Sequence, residues 1–264
     1  ATRGIAAIGQ YEPFNVRPDL RGFPTGAQLI SGVEEARRAV REQIGHGADL
    51  IKICADNTPN NTSLSIEQMR AIVETAHRYN KKVTAHATGA LAIWEAVVAG
   101  VDGIEHGYDL PDTTAVLMAK MGVYFIPTNV TIEEMIQFTG MSKEDATKYL
   151  ENSQFKRLRA AMKEKVKIVA GSDNYIDFGI PQGDAAKKVL VAYQQPGMNP
   201  IDISIPSTRT GAEFLPMPEK LGVIKKDAFA DIIAVEGDLE TEFAKAIFQV
   251  RFVMTNGKVY KEVK

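Results

Sequence analysis

Four side chains able to do chemistry fall at the ends of apolar runs. Lys52 lies in Leu50-Ile51-Lys52-Ile53-Cys54, His86 closes Val83-Thr84-Ala85-His86, His106 follows Gly103-Ile104-Glu105, and Asp173 follows Ile168-Val169-Ala170-Gly171-Ser172. Neutral imidazoles and a carboxylate are natural ligands for zinc and related divalent ions, and a catalytic centre needs about three protein ligands with one position left for water. Lysine is the odd member. Strand alternation sets Lys52 opposite Ile51 and Ile53, and burial that keeps its amine neutral would let it take up carbon dioxide as a carbamate, an anion able to bridge two metals. Each residue also has an ordinary reading: Lys52 as a strand-end lysine reaching solvent, His86 as a hydrogen-bonded core histidine, Asp173 as the cap of a turn. Their joint placement at run ends favours the metal reading, and Gly107 strengthens His106, because glycine at a strand end marks a close approach of backbone or ligand.

The remaining candidates sort by the same logic. Of the four histidines, His46 sits between Gly45 and Gly47 and is expected at a helix end, and His77 beside Arg78 on a helix surface. Cys54 is the single cysteine, so no internal disulfide and no thiolate zinc knuckle is available and any metal must use His and carboxylates. Trp94, in an apolar helical stretch, is expected to pack. Tyr108, Asn129, Tyr175 and Gln182 follow run ends and are candidates to line a substrate pocket, where loop residues carry specificity.

Residues at strand ends meet only if the strands lie side by side. Short β-branched runs at 4–8, 49–54, 82–87, 101–106, 123–127 and 166–171 alternate with helical patterns, the signature of βα units around a parallel sheet. Val33, Ala36, Val40 and Ile44 share one helical face, as do Ile66, Met69, Val73 and Ala76. Ser65 with Gln68 forms a capping box, and Asp112 and Ser142 read as further N-caps. The series suits a (β/α)8-type barrel, whose strand C-termini open on one face, and equally an open doubly wound sheet. From Gly222 the pattern turns to strands, with Asn256-Gly257 supplying the two left-handed residues of a type I′ hairpin.

Composition narrows the function classes. At 264 residues, 45% hydrophobic and 24% charged, the chain is an ordinary globular sequence. With 31 basic and 33 acidic residues, net charge −2, nothing recommends nucleic acid or an anionic membrane as partner, and a small molecule is expected. No apolar run approaches the ~20 residues of a membrane span, and no Gly-x-Gly-x-x-Gly or Walker-type loop follows a strand. The opening Ala-Thr-Arg-Gly has no Met and no signal-peptide pattern, so a soluble, cytoplasmic protein with a further upstream segment is expected.

Asp49-Leu50-Ile51-Lys52-Ile53, Val83-Thr84-Ala85-His86-Ala87-Thr88-Gly89, Ala99-Gly100-Val101-Asp102-Gly103-Ile104-Glu105-His106-Gly107 and Ala170-Gly171-Ser172-Asp173 together resemble the amidohydrolase superfamily. Within it they are similar to imidazolonepropionase-like and Xaa-Pro dipeptidase-like hydrolases. Leu221-Gly222-Val223-Ile224-Lys225-Lys226 with Ala230-Asp231-Ile232-Ile233-Ala234-Val235 resembles that family's exit from its barrel into a β-sandwich. The resemblance covers nearly the whole chain. It implies an α/β fold, a (β/α)8 TIM-type barrel of about six of its eight βα units over 1–221, and a small β-sandwich portion over 222–264.

It further implies that Lys52 is a carboxylated bridging lysine, His86 and His106 are ligands of the second metal, and Asp173 is both a ligand and the group that takes the proton of the attacking water. The implied activity is hydrolysis of a C–N bond in an amide, peptide or cyclic amide, with one or two divalent ions, zinc foremost, and a dipeptide-like substrate. The family opens its barrel with a strand ending in His-x-His, which this sequence does not contain. The runs identified above are therefore expected to be the third to eighth barrel strands, and the alternative is an impaired barrel binding one metal or none. Ser207-Thr208-Arg209-Thr210-Gly211-Ala212 and Asp173-Asn174-Tyr175 depart from the family's pattern and bear on substrate contacts. Unpaired strand edges in such a barrel predict a homo-oligomer.

Overall fold

Alternation along short strands sets the architecture. The computed structural model describes residues 3–8, 10, 27–56, 62–174, 179–215 and 220–263. Among them a parallel sheet runs β2-β1-β3-β4-β5-β6, built from β1 (Gly4–Ala7), β2 (Ala27–Ile30), β3 (Ile51–Cys54), β4 (Val83–Ala87), β5 (Gly103–His106) and β6 (Tyr124–Ile126). Helices α1 (Val33–Gly45), α2 (Ile66–Arg78), α3 (Ala90–Ala99) and α4 (Asp112–Met121) follow β2, β3, β4 and β5, and successive helices pack on one another. This is the parallel α/β sheet with helical connections that the run pattern predicts, with β1 lying between β2 and β3. The chain forms two compact units, 1–125 with 164–166 and 126–163 with 167–264.

In the first unit the register pairs Ile51 with Val83 and Ile53 with Ala85, and Ala85 in turn with Ile104. All five are buried, each such side chain contributing roughly 1–3 kcal/mol of transfer free energy. The intervening positions, Lys52, Cys54, Thr84, His86, Gly103 and Glu105, share the other face. α2 carries the predicted capping box: Gln68 N–H donates to Ser65 Oγ at 3.3 Å, and Ser65 N–H to Gln68 Oε1 at 2.8 Å. At the strands' N-terminal ends Asp102 Oδ2 accepts from Val83 N–H at 2.7 Å and lies 2.9 Å from His77 Nε2, so His77 ties the end of α2 to the strand entrances. His46 is the C-cap of α1. The N-cap of α4 is Pro111, one residue before the Asp112 that the sequence suggested, and Trp94 is 44% exposed, where packing was expected.

The second unit holds α5 (Ile132–Thr139), α6 (Lys143–Leu150), α7 (Lys156–Lys163), α8 (Gln182–Gln194), α9 (Pro200–Ser207) and α10 (Arg209–Phe214). It continues into β7 (Ile232–Val235), α11 (Phe243–Ala246), β8 (Val250–Thr255) and β9 (Lys258–Glu262), with β7-β8-β9 antiparallel. Asn256 and Gly257, at φ 48° and 77°, make the β8–β9 turn with the left-handed pair foreseen. A π-helical turn, Glu151–Phe155, joins α6 to α7. It puts Gln154 and Arg157 three apart on one side, where Gln154 Oε1 accepts from Val130 N–H at 2.8 Å and buried Arg157 donates to Pro127 C=O and to Asn129 Oδ1.

Two elements differ from the sequence expectation. The four-residue β2 interrupts its apolar pattern with Gln28 and carries little strand signal of its own. It forms by pairing along the whole of β1. Conversely, the run 166–171 makes only a single bridge, at Ile168. Its backbone finds other partners: Ala170 N–H donates to Pro206 C=O at 3.1 Å, and the Tyr193 hydroxyl to Val169 C=O at 3.4 Å.

Candidate active site

His86 and His106 come together against the alternation of their strands. The register pairs His106 with Ala87, so in regular strands the two imidazoles would leave opposite faces of the sheet. His106 instead has φ 63°, a left-handed conformation that costs a non-glycine residue roughly 1–2 kcal/mol. It is the centre of a three-residue turn closed by Gly107 N–H to Glu105 C=O at 2.9 Å, a rare and strained connection. The turn swings the His106 ring to 4.5 Å from that of His86, centroid to centroid, in an edge-on arrangement at 65°. The Tyr108 ring lies 5.6 Å beyond His106. Gly107 is itself at φ 62°, and a Cβ there would stand 2.7 Å from Phe125 Cε2, so a larger residue would force the ring to shift.

Lys52 has a carboxylate partner that the sequence reading did not assign. Its ammonium forms an ion pair with Glu105, and both side chains are about three-quarters buried or more. Thr84, the register partner of Lys52, donates its hydroxyl to the other Glu105 oxygen at 3.0 Å, and Glu105 is the register partner of His86. Lys52, Thr84, Glu105 and His86 thus occupy adjoining positions of one sheet face. The period-two spacing of Gly103 and Glu105 carried this signal, since it places Glu105 on the face of Thr84 and His86.

The other predicted residues belong to the second unit. Asp173 is exposed and left-handed, with φ 47°. Gln182, at the start of α8, donates its amide to Asn174 C=O at 2.9 Å. Asn129 is 2% exposed, and its carbonyl accepts from Arg157 at 3.0 Å. Thr128, between Asn129 and Pro127, is also left-handed at φ 49°, so His106 at the end of a predicted strand, and Thr128 and Asp173 just past two others, share the conformation that concentrates at functional sites. Tyr175 lies outside the described residues.

The donor set of the first unit fits part of a metal centre. Two imidazoles meeting edge-on suit adjacent positions on one divalent ion, with Lys52 on the same sheet face as His86. Among the described residues no three of His, Cys, Asp and Glu gather as a metal-binding group.

The sequence pattern of the amidohydrolase family matches residues 3–260. The chain belongs to the amidohydrolase family. This amidohydrolase-family chain is 32% identical over 271 aligned residues to ochratoxinase of Aspergillus niger, covering 96% of itself and 55% of that protein. It therefore spans little more than half the length of this curated relative. It is also similar to the crystal structure of a Xaa-Pro dipeptidase with methionine bound in the active site, with a TM-score of 0.83, 27% identity, and coverage of 98% of this chain and 66% of that one. A prolidase complexed with N-methylphosphonate-L-proline superposes with a TM-score of 0.78 at 29% identity, over 99% of this chain and 68% of that one. These relatives agree with the α/β architecture, and the small antiparallel sheet stands at the C-terminal end as the sequence suggests.

Proposed function

We propose that this chain carries the divalent-metal centre of a hydrolase that cleaves an amide C–N bond in a small, dipeptide-like substrate. The observation that carries the reading is the His86–His106 ring pair at 4.5 Å, held together by a strained turn. Strain of this kind is retained where a functional geometry requires it. The relatives support the substrate class: the Xaa-Pro dipeptidase binds methionine and the prolidase binds a phosphonate of L-proline, so an amino-acid moiety beside the scissile bond is the chemistry proposed here.

His86 and His106 are the proposed imidazole ligands, with Lys52 and Asp173 as the further positions and zinc as the first ion to test, one or two per chain. When bound, the ion supplies Lewis acidity, which makes water nucleophilic near neutral pH and polarises a carbonyl. Asp173 takes the proton of the attacking water and returns it to the departing amine, the work of a general base then acid. Tyr108, whose ring lies tilted beside that of His106, and Asn129, Tyr175 and Gln182 are the proposed substrate-lining residues. Lys52 is proposed to act as a carbamate. Forming it requires the Lys52 ammonium to leave its ion pair with Glu105 and release its protons to solvent before carbon dioxide adds to the amine nitrogen, and a carbamate signal from labelled bicarbonate on addition of zinc is the check.

The deciding experiment is zinc analysis and hydrolysis of Xaa-Pro dipeptides and N-acyl amino acids by the chain and three variants. His86→Ala and His106→Ala are expected to lose zinc and activity together. Asp173→Asn is expected to lower kcat/KM by roughly 100-fold or more, the scale of a lost general base. Zinc binding indifferent to both histidine substitutions would remove the proposed centre, and an Asp173→Asn protein with full activity would remove the proton role.

A further inference from the structure

The strand carrying His86 is tied on both sides where it leaves the sheet. On the β5 side, Gly107 N–H donates to Ala87 C=O and Asp109 N–H to Thr88 C=O, each at 2.9 Å. On the β3 side, Ala55 N–H donates to His86 C=O at 2.9 Å, and beyond it one carboxylate takes over. Asp56 Oδ1 accepts from Thr88 N–H at 2.8 Å, while Oδ2 accepts from the Thr88 hydroxyl at 2.9 Å and from Gly89 N–H at 2.7 Å.

The arrangement also explains two features of α3. Its N-cap, Gly89, has no side chain with which to cap, and Asp56 supplies from another strand an anion at the positive end of the helix dipole. A Cβ on Gly89 would stand 3.3 Å from Asp56 Oδ2, tight enough that the carboxylate would have to shift by a few tenths of an ångström, so glycine leaves it room. Charge-assisted bonds of this type are about twice as strong as neutral ones. The turn they hold begins two residues after His86.

We infer that Asp56 is a positioning residue: by clamping Thr88 and Gly89 it sets the angle at which β4 leaves the sheet, and with it the approach of the His86 ring to His106. It lies four residues beyond Lys52 on the same strand exit, so the clamp also fixes the spacing between the Lys52 and His86 strands. The role deepens the proposed metal centre and rests on that reading for its consequence, although the ring geometry can be read without metal.

The test is Asp56→Asn in the full chain, followed by histidine ring resonances in two-dimensional NMR and by zinc titration. Asparagine keeps the shape, but its amide nitrogen cannot accept the paired bonds now made to Oδ2. The His86 and His106 ring resonances are expected to move while those of His46 and His77 stay in place, and zinc affinity to fall roughly 10-fold or more, as for partners that orient metal ligands. Thr88→Val, which deletes only the hydroxyl arm, should shift the same two rings by less and serves if Asp56→Asn folds poorly. Unmoved His86 and His106 rings in both variants would overturn the clamp, even with a lowered melting temperature. Shifted rings in a chain whose wild type binds no zinc would uphold the clamp and sink the metal reading instead.

Discussion

His106 shows how much one residue's conformation can decide. With extended φ its imidazole would follow Ala87 to the far side of the sheet, and only the left-handed turn aims it at His86. Gly107 makes that turn possible, being both left-handed and pressed against Phe125. Gly107→Ala is predicted to cost about 2–4 kcal/mol, combining left-handed strain with overpacking, and to separate the two rings. Urea unfolding measures the first effect and the NMR resonances of the histidines the second. A stable variant with unmoved rings would show that the close approach to Phe125 relaxes freely. At the same scale, Lys52 shows why a residue read alone misleads: its partner Glu105 is far away in sequence and adjacent only across the sheet.

Among the elements, the segment leading to Asp173 is held by a helix carbonyl and a side chain in place of a ladder. Fully buried Tyr193 donates to Val169 C=O, and burial pushes its hydroxyl well above the ordinary value of 10.0, against the opposing pull of a backbone hydrogen bond from Gly171 and the charge of Arg157. The folded chain therefore keeps a proton that the unfolded chain releases above about pH 10, so unfolding releases a proton there and stability falls as pH rises. Comparing wild type with Tyr193→Phe in unfolding titrations from pH 8 to pH 11 isolates this contribution. The wild type is predicted to lose stability relative to the variant above pH 10, and parallel curves would show that the hydroxyl does not carry the effect. Below that range the variant should be weaker by roughly 1 kcal/mol, the net value of one hydrogen bond.

At the scale of the whole molecule, β2 and β6 end the strand order among the described residues. Edge strands of this kind invite pairing with another chain, and self-association is proposed on that ground. Light scattering over a concentration series is predicted to give a dimer or larger species, and a monomer throughout the series would contradict it. None of the described helices is long and apolar enough to cross a membrane.

Local properties of the chain made much of this legible in advance. Helical periodicity and the Ser65–Gln68 box specified α1 and α2, alternation specified β3 to β5 and the face of Lys52, and the left-handed preference of Asn256-Gly257 specified the hairpin. Each depends on residues a few positions apart, where backbone sterics and capping bonds act directly. Tertiary structure decided the rest: His106 turned against its alternation, Lys52 found Glu105, Asp56 reached Thr88 and Gly89, and the run 166–171 gave its backbone groups to Pro206 and Tyr193. Where a strand leaves the extended region, its direction is chosen by partners tens of residues away, and no local pattern records which of them it will meet.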